Sequence, residues 1–220
     1  MTEPRRLPPS GVYAITSDRA GSPAEFCDAV AQAIEGGARV IQYRRKYVAA
    51  AMQRREAAAA CRVARELGAC FIVNDDLPLA RAIAADGVHL GREDGDFRGL
   101  RSELGPDFIV GVSCYRSVER ALEATAAGAS YVAFGSFFAS RTKPDAPPCP
   151  LSVLEEARRL LEVPLVAIGG ITPENGGALR AAGADFLAVI SGIFDATDIV
   201  AAARRYHAIF EDHGAESHHA

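Results

Sequence analysis

The feature that most constrains the fold of this chain is a regular alternation between two kinds of segment. Short runs of apolar and β-branched residues are separated by alanine-rich stretches with helical periodicity. Eight apolar runs can be counted, over residues 12–16, 39–44, 70–75, 87–91, 108–113, 131–137, 164–170 and 186–191. Continuous apolar runs are typical of parallel strands that helices cover on both faces of a sheet. The alternation therefore predicts an α/β protein built from eight βα units.

Helix signals occupy the stretches between these runs. The clearest helix is predicted for Pro23–Glu35, with Ser22 as its N-cap and Gly36 and Gly37 at its end. Further helices are predicted over residues 49–67, 78–85, 117–127, 151–161, 173–182 and 198–210. Eight even units in 220 residues favour a single (β/α)8 TIM barrel over residues 11–211. An open doubly wound sheet is the alternative, and it is disfavoured because no GxGxxG motif follows the first strand.

Composition narrows the range of partners. The chain has 24 basic and 28 acidic residues, so it has no positive excess with which to neutralise nucleic-acid phosphates. No apolar run is long enough to span a bilayer, and the N-terminus lacks the apolar core of a signal peptide. We therefore expect a cytoplasmic protein that binds neither nucleic acid nor membrane. Residues 1–10 are predicted to form a flexible N-terminal tail, and residues 212–220 a polar C-terminal tail.

The cysteines point to the same compartment. The chain has five of them, an odd number, and no two have CxxC spacing. This pattern argues against a disulfide framework or a structural zinc site. It is consistent with small apolar residues in a reducing environment.

Polar residues follow the second predicted strand, at the end where a barrel of this kind has its active site. Gln42, Arg44 and Lys46 are spaced by two, which would place all three on one face of an extended chain. A solvated charge run would explain the two cations but not a glutamine inside an otherwise apolar strand. The spacing therefore predicts a substrate-binding face.

Carboxylates follow the third and fourth predicted strands. Asn74, Asp75 and Asp76 follow the third, and Asp94 lies shortly after the fourth. Two carboxylates from adjacent strand ends can converge on Mg²⁺, which prefers a few carboxylate oxygens and keeps waters that a phosphate can replace. One carboxylate of the Asp75–Asp76 pair is also expected to cap the helix that begins near Pro78, while the other faces the site.

The remaining strands end in groups suited to phosphate. Hydroxyl and ammonium donors follow strands 5 and 6: Ser113, Ser140, Thr142 and Lys143. Strand 7 ends in Gly169 and Gly170, and strand 8 ends in Ser191. In (β/α)8 barrels, loops 7 and 8 frequently bind phosphate through backbone N–H groups. The residues therefore predict one region for a Mg-bound diphosphate and one for a monophosphate, without a nucleophile paired to a base.

These stretches together resemble the thiamine phosphate synthase family. The similarity runs from Val12 to about Ala203 and is carried by YAIT, IQYRRK, FIVNDD, DGVHLGREDGD, GVS, YVAFGSFFASRTKPD, VAIGGIT and AVIS. The NDD, HLGxED and TKPD motifs are its most specific parts. The family joins 4-amino-5-hydroxymethyl-2-methylpyrimidine diphosphate to a thiazole phosphate, which gives thiamine monophosphate and pyrophosphate. The resemblance implies this activity, small-molecule substrates and Mg²⁺ as the cofactor.

The resemblance also implies roles for individual residues. The pyrimidine diphosphate would be bound by Gln42, Arg44, Lys46, Asn74, Ser113, Ser140, Thr142 and Lys143. Three cations of this set, Arg44, Lys46 and Lys143, would be catalytic because they stabilise the departing pyrophosphate. Asp75 and Asp94 would hold Mg²⁺. The thiazole phosphate would be bound through backbone N–H groups of Gly170, Ile190 and Ser191.

The family's mechanism needs no enzyme nucleophile. The diphosphate leaves first, which gives a methylene carbocation, and the thiazole nitrogen then attacks it. The sequence departs from the family pattern at Tyr115 and Arg116, where a His-Thr pair is common, and at Arg92, where Gln is common.

Other functions remain compatible with such a barrel. A thiazole tautomerase would need a proton-shuttling residue such as His89 but no diphosphate site, although we expect His89 to be a hydrogen-bonded barrel residue. A non-catalytic barrel would bind a thiazole or thiamine phosphate without turnover. Asp75, Asp94, Thr142 and Lys143 would have no role in a tautomerase, and the intact set of diphosphate ligands argues against a non-catalytic barrel. The glycines of loops 7 and 8 alone would also fit another phosphate-handling barrel enzyme, and the sequence leaves open a homo-oligomer.

Overall fold

The computed structural model of the chain describes residues 6–18, 21–91, 99–139 and 148–211. Eight parallel strands pair in chain order, and β8 pairs with β1, so that the sheet closes into a barrel. The strands are β1 Gly11–Ile15, β2 Ala38–Tyr43, β3 Cys70–Asn74, β4 Gly87–Leu90, β5 Ile109–Tyr115, β6 Tyr131–Gly135, β7 Leu165–Ile168 and β8 Phe186–Val189. The predicted (β/α)8 barrel is therefore confirmed, and each strand lies within one of the eight apolar runs or within two residues of its ends.

Helices follow the strands along the chain. They are α1 Pro23–Glu35, α2 Ala50–Glu66, α3 Leu77–Ala82, α4 Leu100–Leu104, α5 Val118–Ala126, α6 Leu151–Leu160, α7 Gly176–Ala181, α8 Ser191–Phe194 and α9 Ile199–Glu211. The predicted helices agree with seven of these, and α1 matches at both ends. The short helices α4 and α8 were not predicted, because four or five residues are too few to show a helical period.

Helix α1 shows how local sequence fixes an element. Ser22 and Glu25 form a capping box, in which the Glu25 carboxylate accepts from the Ser22 N–H at 2.7 Å and the Ser22 hydroxyl accepts from the Glu25 N–H at 3.3 Å. The helix ends at Glu35, and Gly36 is its C-cap. A side chain at Gly36 could not be accommodated, because its Cβ would lie 2.5 Å from the Cβ of Ala203 on α9. The glycines after α1 therefore end the helix, as the sequence predicts, and also allow α9 to pack closely against the turn.

Side chains along the strands alternate between two apolar layers. One set packs between the barrel and the helices, and the other fills the barrel interior. The interior set is Tyr13, Ile15, Val40, Cys70, Ile72, Ile109, Tyr131, Ala133, Val166, Phe186 and Ala188. Because both layers are apolar, the strands show continuous apolar runs in sequence rather than a visible alternation.

A repeated hydrogen bond holds neighbouring strands together near their amino ends. The residue before β4, β6 or β8 accepts, through its side chain, from the backbone N–H of a residue at the start of the preceding strand. These bonds join Phe71 to Asp86 (2.8 Å), Val110 to Ser130 (3.0 Å) and Leu165 to Asp185 (2.7 Å). Asp185, directly before β8, thus links β8 to β7 through its side chain.

The two predicted tails fall largely outside the described residues, which begin at Arg6 and end at Glu211. Leu7 packs against the interior layer, and the Cys70 thiol lies 3.3 Å from the carbonyl oxygen of Arg6. The segment just before β1 therefore contacts the barrel. The sequence predicts that residues 1–10 are flexible. Residues 1–5 lie outside the described part of the chain, so for them this stays a prediction.

The cysteines of the chain are thiols rather than disulfides, and four of the five are buried. Burial raises the pKa of Cys114 to about 12 and that of Cys149 to about 11, so these thiols stay protonated at neutral pH. None of the helices in the described ranges is long and apolar enough to cross a membrane.

Gly111 makes room for an aromatic ring inside the barrel. The strand register places Gly111 of β5 between His89 of β4 and Tyr131 of β6. The rings of His89 and Tyr131 stack, with 5.6 Å between their centroids. A Cβ on Gly111 would lie 2.0 Å from Cζ of Tyr131. The absence of a side chain at this position is therefore required by the ring beside it.

Gly111→Ala is expected to lower the free energy of unfolding by on the order of 3 kcal/mol, because the added methyl overlaps a ring that the interior holds in place. Gly177→Ala is the matched control. Nothing lies within 4 Å of a Cβ at Gly177 of α7, so alanine there should raise the unfolding free energy by about 0.5 kcal/mol. Denaturant titration of both variants measures the difference. Wild-type stability in Gly111→Ala would show that the Tyr131 ring can move aside.

Candidate active site

A cavity of about 1020 Å³ opens at the carboxyl ends of the strands, and all eight strands contribute to its lining. This volume is at the upper end of the range for small-molecule sites, and it can hold two small substrates together. Among the described residues, the charged side chains that line it are Arg44, Asp75 and Arg116. The cavity is thus the place where the barrel brings charged groups from separate strands together.

A chain of hydrogen bonds crosses the floor of this cavity. Gln42 Nε2 donates to the hydroxyl of Tyr13 (2.9 Å), and the hydroxyls of Tyr13 and Tyr131 are 2.6 Å apart. The Tyr131 hydroxyl lies 2.9 Å from Nδ1 of His89, and Nε2 of His89 lies 2.8 Å from Oγ of Ser113. We call this five-residue set the floor chain. It joins β2, β1, β6, β4 and β5 through their inward side chains.

The floor chain is buried and supplies its own hydrogen-bond partners. Tyr13 and Tyr131 are 1% and 0% exposed, and Gln42 is 3% exposed. Burial raises the pKa of both phenols above the ordinary range for tyrosine, so both keep their protons at neutral pH. Buried polar groups that bind one another avoid the cost of lost hydration. The polar floor is therefore compatible with a packed barrel interior.

The sequence predicts part of this floor and misses part of it. Gln42 and Ser113 were predicted site residues, and His89 was expected to be hydrogen-bonded within the barrel, as it is. The sequence does not single out Tyr13 and Tyr131, because a tyrosine inside an apolar strand resembles a core residue. The position of Tyr13 near the carboxyl end of a strand is the one signal that could have identified it, since active-site residues lie at that end of a barrel. In the structure Tyr13 binds Gln42 of the adjacent strand β2.

Of the three residues predicted to form a substrate-binding face at the end of β2, two line the cavity. Gln42 and Arg44 line the cavity. Lys46 is exposed and does not line it, and the Lys46 N–H donates to the Asp18 carboxylate at 2.7 Å. In this structure Lys46 does not share the cavity lining with the other two residues, because β2 ends at Tyr43 and the chain bends after Arg45. The catalytic role of Lys46 stays a prediction.

Arg45 points away from the cavity, into a buried ion pair. Its Nε lies 3.2 Å from Oε1 of Glu56, and the two side chains are only 7% and 2% exposed. The Tyr43 hydroxyl donates to the same carboxylate at 3.0 Å, and the Arg45 guanidinium lies over the ring of Phe26, 5.2 Å from its centroid. These contacts fix the backbone at the end of β2 against α1 and α2.

Asp75 and Asp76 divide two tasks between them, as the sequence predicts. Asp76 caps α3, with its carboxylate accepting from the Leu79 N–H at 2.8 Å. Asp75 lines the cavity and has a left-handed backbone with φ 63°. Aspartate tolerates this conformation better than most residues. The Asp75 N–H donates to the His89 carbonyl at 2.8 Å, and Asn74 Nδ2 donates to the Asp75 carboxylate at 2.5 Å.

The loops after β7 and β8 lie beside each other in the lining. Gly169 and Gly170 have φ values of 106° and 62°, and helix α8 begins at Ser191, directly after Ile190. Glycine is required at both positions for packing as well, since a Cβ on Gly169 would lie 1.9 Å from Oγ of Ser136. Gly170, Ile190 and Ser191 all line the cavity. The first N–H groups of a helix lack acceptors within it and suit an anion.

Several predicted residues fall outside the described part of the chain. These are Asp94, Ser140, Thr142 and Lys143, together with Arg92. Their assigned roles stay predictions. The departures at Tyr115 and Arg116 are described. Both line the cavity, and Tyr115 has a positive φ of 59°. Within the described ranges, no group of three or more His, Cys, Asp and Glu residues could hold a metal ion.

Enzymes with the TIM-barrel fold have their active sites at the carboxyl ends of the strands, where the polar side chains of this chain converge. The chain belongs to the thiamine monophosphate synthase family, whose model matches residues 12–193. It is therefore a transferase of thiamine biosynthesis.

Similar proteins cover nearly the whole chain. A thiamine-phosphate synthase from Acidithiobacillus ferrooxidans is 50% identical over 206 residues, which are 92% of this chain and 95% of that protein. Another from Chromobacterium violaceum is 52% identical over 200 residues, 90% of this chain and 96% of that protein. The solved thiamine phosphate pyrophosphorylase from Pyrococcus furiosus is 35% identical, with a TM-score of 0.82, over 92% of this chain and 96% of that one.

Substitutions of the two adjacent carboxylates are expected to differ in their effect on stability. Asp76→Ala should lower the free energy of unfolding by about 1 kcal/mol, because α3 loses its N-cap. Asp76→Asn should restore most of this, since asparagine caps a helix equally well. Asp75→Asn, which keeps the shape and tolerates the left-handed backbone, should stay within about 0.5 kcal/mol of the wild type. Thermal or denaturant unfolding of the three variants decides this, and an equal loss in Asp75→Asn and Asp76→Ala would contradict the division.

Proposed function

We propose that the thiamine-phosphate synthase activity of this chain joins a pyrimidine diphosphate to a thiazole phosphate in the cavity at the carboxyl ends of the strands. The observation that carries the proposal is that Gln42, Arg44, Asn74, Asp75 and Ser113 line one cavity of about 1020 Å³. These residues supply a cation, a carboxylate, amides and a hydroxyl, which are the groups that a magnesium diphosphate needs. The volume suits two substrates that must lie next to each other to react.

The reaction is proposed to be dissociative. The bond between the methylene carbon and the diphosphate oxygen breaks first, and its electron pair leaves with the diphosphate. The lone pair of the thiazole nitrogen then forms the new bond to carbon. The positive charge of Arg44, with that of Lys46 and Lys143, would stabilise the negative charge that develops on the leaving diphosphate.

The floor chain supports a route without an enzyme nucleophile. In a serine triad, the histidine nitrogen remote from the serine binds a carboxylate. Here Nδ1 of His89 binds the Tyr131 hydroxyl instead, while Nε2 binds Ser113. A tautomerase would need His89 to exchange protons with its substrate, whereas both ring nitrogens bind residues of the floor chain. The geometry therefore favours Ser113 as a hydrogen-bonding group over a reacting one.

Mg²⁺ is proposed as the cofactor, with Asp75 and Asp94 as its protein ligands. Of these two residues, Asp75 lies within the described part of the chain. It fits the metal, since its carboxylate lines the cavity and carboxylate oxygens are preferred ligands of Mg²⁺. A site of this kind needs only one or two carboxylates, because waters and substrate phosphates complete the shell. When bound, Mg²⁺ would neutralise charge on the diphosphate and make it a better leaving group. Asn74 donates to Asp75 and would hold that carboxylate in orientation.

The thiazole phosphate is proposed to lie against the loops after β7 and β8. The N–H groups of Gly170, Ile190 and Ser191 are the candidate donors. Asn175 supports the first of these loops, because its Nδ2 donates to the Gly170 carbonyl at 3.0 Å and its Oδ1 accepts from the Thr172 N–H at 2.8 Å. A cytoplasmic location and a homo-oligomeric state stay predictions from the sequence.

The direct test is an assay with both substrates and Mg²⁺, in which thiamine phosphate and pyrophosphate are measured together. Equal amounts of the two products are expected, and EDTA should remove both. Product formation that persists in EDTA would contradict the magnesium assignment. The absence of both products from folded, magnesium-loaded protein would contradict the proposed reaction.

The metal ligand can be tested with matched neighbours. Asp75→Asn should lower turnover by ~10²–10³, because Mg²⁺, which would neutralise charge on the diphosphate, loses a proposed carboxylate ligand. Asp76→Asn keeps the α3 cap and should retain near wild-type turnover, although it removes a carboxylate one position away. Circular dichroism checks that both variants are folded. Similar turnover in the two variants would remove Asp75 from the proposed metal site.

A further inference from the structure

The floor chain has a hydrogen count that fixes its direction. Three links join Gln42 to Tyr13, Tyr13 to Tyr131, and Tyr131 to His89. A fourth link joins His89 to Ser113. Each link holds one hydrogen, contributed by the group on one of its sides. The side chain whose atom in the floor chain can only donate therefore decides how the others are oriented.

Gln42 is that side chain. It presents Nε2 to Tyr13, and an amide nitrogen donates but does not accept. Tyr13 accepts this bond and has one hydrogen of its own, which must find an acceptor because the side chain is 1% exposed. The acceptor within reach is the Tyr131 hydroxyl, 2.6 Å away. Tyr131 in turn directs its own hydrogen at Nδ1 of His89.

The three hydrogens of Gln42, Tyr13 and Tyr131 thus fill the first three links. A hydrogen on Nδ1 of His89 would put two hydrogens into one link and leave a buried phenol without an acceptor. The count therefore selects a His89 ring whose only hydrogen is on Nε2, and that hydrogen fills the fourth link. The Ser113 oxygen accepts it at 2.8 Å, so the Ser113 hydrogen must lie elsewhere.

We propose that Gln42 acts as a positioning residue that sets the direction of the floor chain, so that His89 is held as the neutral Nε2–H tautomer and Ser113 donates its hydrogen into the cavity. Ser113 lines the cavity and is half-buried, so a bound oxygen there can accept from it. That this oxygen belongs to the diphosphate rests on the proposed function. The direction of the hydrogen bonds in the floor chain does not rest on the proposed function, because it follows from groups within the protein.

Nitrogen NMR of the substrate-free protein tests this directly. A ring nitrogen that carries hydrogen and one that does not differ widely in ¹⁵N chemical shift, so the tautomer can be read from the two signals of one ring. The chain has five histidines. Replacing the other four, through His207→Gln, His213→Gln, His218→Gln and His219→Gln, leaves His89 as the only source of signal.

The expected result is a neutral ring with hydrogen on Nε2 and none on Nδ1. A ring with hydrogen on Nδ1, or on both nitrogens at neutral pH, would overturn the proposal. This measurement uses only the intact floor chain, so it decides even if floor variants do not fold. It also separates the proposal from the synthase reaction, since neither substrate is present.

Reversal of the chain gives a second test. In Gln42→Glu, at a pH at which the ¹³C shift of the new carboxyl shows that it is ionised, the carboxylate can only accept, so the Tyr13 and Tyr131 hydrogens should turn round and His89 should become the Nδ1–H tautomer. Tyr131→Phe is the matched control, because it removes the link between Gln42 and His89. In the Tyr131→Phe background, Gln42→Glu should leave the His89 signals unchanged. An unchanged tautomer in the single variant would overturn the proposal, as would the same shift in both backgrounds.

Discussion

A closed barrel of eight strands has an interior that only side chains can fill, and every inward residue must fit against those of the other strands. In this chain the lower part of the interior is apolar, with Phe186 packed edge to face against Tyr13 at 6.4 Å. The upper part is the floor chain, in which hydroxyl, amide and imidazole groups bind one another. The absence of a side chain at Gly111 leaves room for the stacked rings of His89 and Tyr131 in this layer. The floor of the site is thus set by the packing of the interior.

This arrangement links fold and chemistry through one layer. A cavity lined by isolated polar groups would need water to satisfy them, whereas the floor chain satisfies most of its groups internally. Four of its members, Tyr13, Gln42, His89 and Ser113, reach the cavity surface, beside the charged groups Arg44, Asp75 and Arg116. The charged residues come from positions at or just beyond the strand ends, where solvent still reaches them. The neutral groups of the floor chain thus lie inside the barrel, and the charged groups lie nearer to solvent at the carboxyl ends of the strands.

Much of this could be predicted from the sequence, because strands buried on both faces show as apolar runs and helix caps such as Ser22 and Asp76 are local signals. Helices α4 and α8 were missed because one turn has no measurable period. The sequence also does not show that β2 ends three residues before Lys46, which lies outside the cavity lining in this structure. Tyr13 and Tyr131 were missed for another reason. A tyrosine inside an apolar strand has the same appearance whether its hydroxyl joins a network or not, and only the packing distinguishes the two.

The buried Arg45–Glu56 pair has a consequence for a residue it does not touch. Successive side chains at a strand end point in opposite directions, so fixing Arg45 on the outer side directs Arg44 towards the cavity. A loose strand end would have to be ordered when a substrate arrives, and that loss of conformational freedom would weaken binding. In this barrel the ordering takes place during folding, against Glu56, Tyr43 and Phe26. Part of the affinity for an anionic substrate is thus determined on the outside of the barrel, at side chains the substrate never meets.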